Sequence, residues 1–208
     1  MKRRGNMKEL RFQLEAIKNI NTYDTVGFDV LLRAGIPNHL LFSEYCSINP
    51  DLDEYILQKA LETVCNSYSS EHIYLLKVSL ALLVRSPEYL SKVPTNFFFD
   101  LNSNCFISNV DYIEALQKIN ERIFIDGMAL GHSNIDILRR IKPYGIKIDR
   151  EILGTSDDDM KRYLETANNI AEIAIVKRIE NHHELERIRS LGASYAHGYV
   201  FYEGESDV

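Results

Sequence analysis

The chain has 208 residues, 45% of them hydrophobic, which is enough for one domain with a substantial buried core and argues against disorder. Its 30 acidic and 24 basic residues leave a formal charge of −6, which excludes a generally nucleic-acid-binding surface unless a local basic patch forms. No apolar run approaches the length of a membrane span, and the basic start Lys2-Arg3-Arg4 is not followed by the apolar stretch of a signal peptide.

In chain order, residues 1–8 read as a flexible start, with Met7 as a second candidate initiator. Leu10 to Ile17 reads as a strand and Val26 to Leu32 as another; the short polar connection between them predicts an antiparallel hairpin. Leu52 to Tyr68 is helical, because Tyr55, Ile56, Ala60, Leu61 and Val64 fall on one face. Ile73 to Leu83 is a strand running into a helix. Asn96 to Leu101 is an aromatic strand after Pro94. Helices at Tyr112–Ile119, Ile135–Ile141, Asp157–Ile170 and Glu184–Leu191 then alternate with strands at Arg122–Ile125, Gly145–Ile148, Ala171–Val176 and Tyr195–Tyr202. Gly192 reads as a helix stop. Alternating strands and helices without a linker predict a parallel sheet in a single domain over residues 1–208, closed as a TIM-like (β/α) barrel. No glycine-rich phosphate loop follows the first strand, which argues against a dinucleotide fold.

Cys46, Cys65 and Cys105 are odd in number and widely spaced, so they read as reduced thiols, and the chain is placed in the cytoplasm. Functional groups in such barrels sit at the C-terminal strand ends. There the sequence offers Asp29 and Arg33, Ser79, Asp100, Asp126, Lys147 and Asp149, Lys177 and Glu180, and His197. Asp29, Asp100 and Asp126 stand in apolar strands, where a carboxylate must be paired or coordinated. Three converging aspartates could hold Mg²⁺ or Ca²⁺; the alternative is pairing with Lys147, Lys177 or Arg33.

The whole chain resembles the EAL domain, the family of cyclic di-GMP phosphodiesterases. Leu10 to Ile17 is similar to the family's opening strand, and Val26-Gly-Phe-Asp-Val-Leu-Leu-Arg33 to its G-x-E-A-L-L-R signature. Lys77-Val-Ser-Leu-Ala81 resembles S-V-N-L-S, with Arg85 to Leu90 following as in the family. Asp100 to Ser103 stands for E-I-T-E, and Arg122 to Gly131 for R-I-A-L-D-D-F-G-T-G. Ile135 to Arg150 continues through a Leu-Arg-Arg and a Lys-Ile-Asp-Arg. Val176 to Glu180 resembles A-E-G-V-E, and Leu191 to Phe201 the closing L-G-x-x-Y-A-Q-G-Y-x-F.

The resemblance implies a two-metal phosphodiester hydrolase site at the barrel mouth, here altered. By this alignment Asp29, Ser79, Asp100 and Asp126 are vestigial metal ligands, and Gly127 replaces a further aspartate. Asp29 and Asp100 are each one methylene short, which matters because Mg²⁺ demands near-ideal octahedral contacts at about 2.0–2.1 Å. Lys177 stands where a glutamate is expected and would balance Asp29, Asp100 or Asp126. Lys147 and Glu180 match family residues but no competent catalytic set is expected. Arg33, Glu15 and His197 are the ligand-binding candidates. The expectation is therefore a catalytically inactive regulator of transcription, motility or virulence in bacteria that acts through protein contacts. Non-hydrolysing cyclic di-GMP reception is the alternative, and weak phosphodiesterase activity the third reading. A protein partner, a transcription regulator being one class, is implied, with cyclic di-GMP second and a homodimer open; nucleic acid and membrane are not. No cofactor is expected, Mg²⁺ or Mn²⁺ entering only with residual activity.

Overall fold

The computed structural model describes residues 10–33, 35, 37–42, 46–65, 69–86, 92–103, 113–128 and 135–202. The expectations about the N-terminal basic cluster, Cys105 and the segment following Met128 lie outside these residues. Strands β1 (Arg11–Asn19) and β2 (Thr25–Arg33) form an antiparallel hairpin. Its turn is tied locally: Asn19 Oδ1 accepts the Asn21 and Thr22 N–H groups.

From β2 the sheet runs parallel through β3 (Ile73–Lys77), β4 (Phe97–Asn102), β5 (Ile123–Met128), β6 (Gly145–Ile148), β7 (Ile173–Val176) and β8 (Tyr195–Ala196). Strand β8 pairs back on β1, antiparallel, and closes an eight-stranded barrel. The barrel and its reversed first strand agree with the alternation in the sequence. The last strand is shorter than expected: it stops at Ala196, and Tyr199–Phe201 forms a 3₁₀ turn. Gly198, at φ 148°, makes this break, because a Cβ there would lie 2.3 Å from the backbone N and O of Ile179.

The described helices are α1 (Asn38–Leu40), α2 (Cys46–Ile48), α3 (Pro50–Cys65), α4 (Leu80–Arg85), α5 (Ile113–Gln117), α6 (Ile135–Ile141), α7 (Asp157–Ile170) and α8 (His182–Ser190). Their apolar faces pack on the outside of the barrel, as with Ile56, Leu57, Ala60 and Val64 of α3. Helix α7 starts at a side-chain cap, Ser156 Oγ accepting the Asp159 N–H. Among the described residues no helix is long and apolar enough to cross a membrane.

Inside the barrel, Ile17, Leu75, Phe98, Phe124 and Ile175 form a separate apolar plug. Phe124 fits because its strand neighbour is Gly145, where a Cβ would lie 1.9 Å from the ring. Side chains alternate faces along a strand, so the residue two places further on also points inward, one layer higher. Above Leu75 comes Lys77, above Phe98 Asp100, above Phe124 Asp126, above Gly145 Lys147, and above Ile175 Lys177. The plug is thus roofed by a charged layer at the C-terminal ends of the parallel strands.

Candidate functional site

This charged layer floors an open cavity of about 580 Å³, lined among others by Glu15, Asp29, Arg33, Lys77, Asp126, Lys147, Asp149, Lys177, Arg178 and His197. The size suits a small ligand. At the centre Lys147, 1% exposed, donates to Asp29 Oδ2 at 2.5 Å and to Asp100 Oδ2 at 3.0 Å. Lys77, 8% exposed, reaches Asp100 Oδ2 at 3.1 Å and makes a short bond to Asp126 Oδ2. Lys177 bonds the other oxygen, Asp126 Oδ1, and pairs with Asp149 at 2.8 Å. The network is a continuous chain of alternating sign from Asp29 to Asp149.

Electrostatics favours the charged forms of Asp29, Asp126, Lys77 and Lys147. Burial pushes the Asp29 carboxyl up, but Lys147, His197 and Lys77 outweigh it and hold it below its usual value. Burial opposes the charge on Asp126 too, yet Lys77, Lys147 and Lys177 hold it well below the carboxylate range. Burial would likewise lower Lys77 and Lys147, but the facing aspartates raise both above an ordinary lysine. On the β1 side, Glu15 pairs with Arg33 at 3.1 Å and stands 3.4 Å from His197 Nδ1. Its carboxyl is lowered chiefly by His197, against burial. On the far side Arg178, in the left-handed region at φ 57°, pairs with Asp149 at 3.3 Å. Counted around the mouth, the carboxylates of Glu15, Asp29, Asp100, Asp126 and Asp149 are matched one for one by Arg33, Lys77, Lys147, Lys177 and Arg178.

Most candidates converge: Asp29, Asp100, Asp126, Lys147, Lys177, Glu15, Arg33 and His197 all meet at the mouth. Two do not. Ser79 is expected as a metal-ligand position on β3, but the strand ends at Lys77 and Ser79 caps the start of α4, its Oγ accepting the Leu82 N–H. Ser79 is buried against α3, its N–H donating to Asp53 Oδ2 at 2.7 Å. The side chain that β3 delivers to the mouth is Lys77, two residues earlier. Glu180 pairs with Arg150 at 2.6 Å, half-exposed, and is not among the residues that line the cavity. Lys77 had a signal in the sequence: it shares the face of Ile73 and Leu75 in an otherwise apolar strand. Gly127, at φ 95° in a strand irregularity, brings no side chain, and its carbonyl accepts from Ser103 Oγ.

The sequence matches the EAL domain family over residues 3–203, and the chain belongs to that family. It is similar to the cyclic di-GMP phosphodiesterase TpdA of Vibrio parahaemolyticus, 23% identical over 215 residues, covering 94% of this chain and 37% of that protein. The chain therefore spans little more than a third of that relative's length. Among solved structures it superimposes on the PaMucR phosphodiesterase in complex with cyclic di-GMP, with a TM-score of 0.71 at 17% identity over 92% of this chain and 90% of the other. An EAL domain protein from Listeria monocytogenes gives 0.72 at 15% identity, over 92% and 87%. BlrP1 of Klebsiella pneumoniae, solved with manganese and cyclic di-GMP, gives 0.74 at 16%, over 95% and 56%. At these identities the structural likeness establishes the barrel fold.

Proposed function

We propose that this EAL domain does not hydrolyse cyclic di-GMP and acts as a cytoplasmic bacterial regulator through contacts with another protein. The observation that carries the first half is the lysine-paired mouth. A two-metal mechanism needs carboxylate oxygens free to clamp two divalent ions around the attacking and leaving oxygens. Here Asp126 gives one oxygen to Lys77 and the other to Lys177, while Asp29 and Asp100 share Lys147 through Oδ2, so that the Oδ1 each leaves without a hydrogen bond sits beside an ammonium. Divalent ions placed among two buried ammonium groups, Lys77 and Lys147, and the partly buried Lys177 would be repelled at low effective dielectric. Gly127 and the displaced Ser79 remove two more donors expected from the family pattern. The residues present therefore do not suit a metal pair.

The second half rests on what remains available. With the mouth neutralised internally, the helical exterior is the surface left for recognition, and fold membership alone does not transfer a relative's chemistry. A second reading has its own support: the cavity is open, and Arg33 and Arg178 stay roughly half-exposed at its rim, where they could grip the phosphates of a bound cyclic di-GMP without cutting it.

Isothermal titration calorimetry with cyclic di-GMP, with and without Mn²⁺, tests these readings alongside chromatography of the incubated nucleotide. No heat and no product is the outcome expected of a partner-binding regulator, and its partner is then sought by affinity capture. Micromolar binding without product selects the receptor. Metal-dependent release of the linear dinucleotide overturns the proposal.

A further inference from the structure

We propose that Asp53 is a positioning residue for Lys77, mechanically linking the outer helix α3 to the charged layer at the barrel mouth. Asp53 is a fully buried acid on an external helix, far from solvent and outside the ion-pair network. Its Oδ2 accepts the Ser79 N–H at 2.7 Å, and its Oδ1 has no hydrogen-bond partner. A carboxylate kept at such a position is held by the bond it makes, since an unpaired buried acceptor is costly. Ser79 is the hinge between β3 and α4: its backbone N–H is fixed by Asp53, and its Oγ caps the helix at Leu82. Lys77 lies two residues upstream, so the backbone that aims its ammonium at Asp100 and Asp126 is anchored within one peptide unit of the Asp53 bond.

A second tie between α3 and α4, the Asp51–Arg85 pair at 2.9 Å, is exposed on both sides and so contributes little. Beside the apolar packing of Leu57, Ala60 and Val64 on the barrel, Asp53 gives a displacement of α3 a directed, hydrogen-bonded route to the end of β3. The titratable group facing Asp53 from α2 is the buried Cys46 thiol, which its charge helps push up. The coupling is internal and does not depend on whether the mouth binds a nucleotide or on the identity of any partner.

Side-chain NMR of the lysine ammonium groups tests this in the full chain. Asp53→Ala is expected to shift the Lys77 resonance while leaving that of Lys147 in place. Asp53→Asn, which keeps an oxygen for the Ser79 N–H, is expected to restore the wild-type position. A folded Asp53→Ala protein with Lys77 unmoved overturns the proposal, as does an equal shift of Lys77 and Lys147, which would signal general loosening. Amide exchange in the unmodified protein serves if the alanine variant does not fold. Ser79 and Lys77 should then open with the same protection, and a Ser79 amide exchanging far faster than that of Lys77 refutes the link.

Discussion

Replacing Lys147 by methionine strips the central cation from the mouth while keeping its length. Asp29, 2% exposed, loses its direct ion pair, and Asp100, fully buried, keeps only Lys77 at 3.1 Å. Breaking a buried pair on one side typically costs about 3–5 kcal/mol, because the abandoned charge stays in a poorly solvating environment. Domains of this size have about 5–15 kcal/mol in total, so urea unfolding at pH 7.5 should show a large drop in midpoint. The drop should shrink at pH 5. With Lys147 gone, burial is left to dominate Asp29 and raises its pKa, so the carboxyl takes up a proton in the folded state and the unpaired charge disappears. Adding Asp29→Asn to Lys147→Met should recover part of the loss at pH 7.5, a non-additive effect of a pair in contact. A Lys147→Met loss below about 1 kcal/mol, with no pH dependence, would refute the reasoning, since the magnitude rests on Asp29 losing a buried ion pair.

In the wild-type protein Asp53, pushed up to about 6 by burial from its ordinary 3.8, should titrate in the sense opposite to Asp29, whose carboxyl Lys147 holds below its usual value. A raised folded pKa stabilises the protein fully below about 3.8 and loses that stabilisation as pH rises through about 6. Stability in urea unfolding should therefore rise on acidification from pH 7.5 to 5 by about 1.4 kcal/mol, since pH 5 lies about one unit below the folded value and each unit is worth 1.36 kcal/mol. The Asp53→Asn protein should lack that rise; identical slopes in the two proteins would sink the assignment. Gly145→Ala forces a Cβ into the Phe124 ring and should cost at least about 1–3 kcal/mol in chemical denaturation. Ser156→Ala removes the cap of α7 and should cost about 1 kcal/mol by the same assay, with the mouth unaffected.

Strand and helix alternation, and the polar turn between the first two strands, were enough to indicate a barrel with a reversed first strand, because backbone period and apolar pattern are local properties of the chain. The three aspartates stood out for the same reason, each being a charge inside an apolar strand. The partner of each charge was not local. Lys147 meets Asp29 across 118 positions and Asp100 across 47, distances that only barrel closure brings together. The end of β3 was also undecided in sequence. The family motif puts Ser79 at the ligand position, and only the tertiary structure shows Lys77 turned into the barrel and Ser79 turned out to Asp53. The physical reason is that a strand's alternation says which residues share a face, while the point at which the strand stops depends on what its last amide can bond to. Here the Val78 N–H still bonds across to the Asp100 carbonyl, and the next amide, of Ser79, turns to Asp53 on a separate helix. The sequence by itself thus determined the barrel and which strands carry charge; barrel closure decided that those charges neutralise one another.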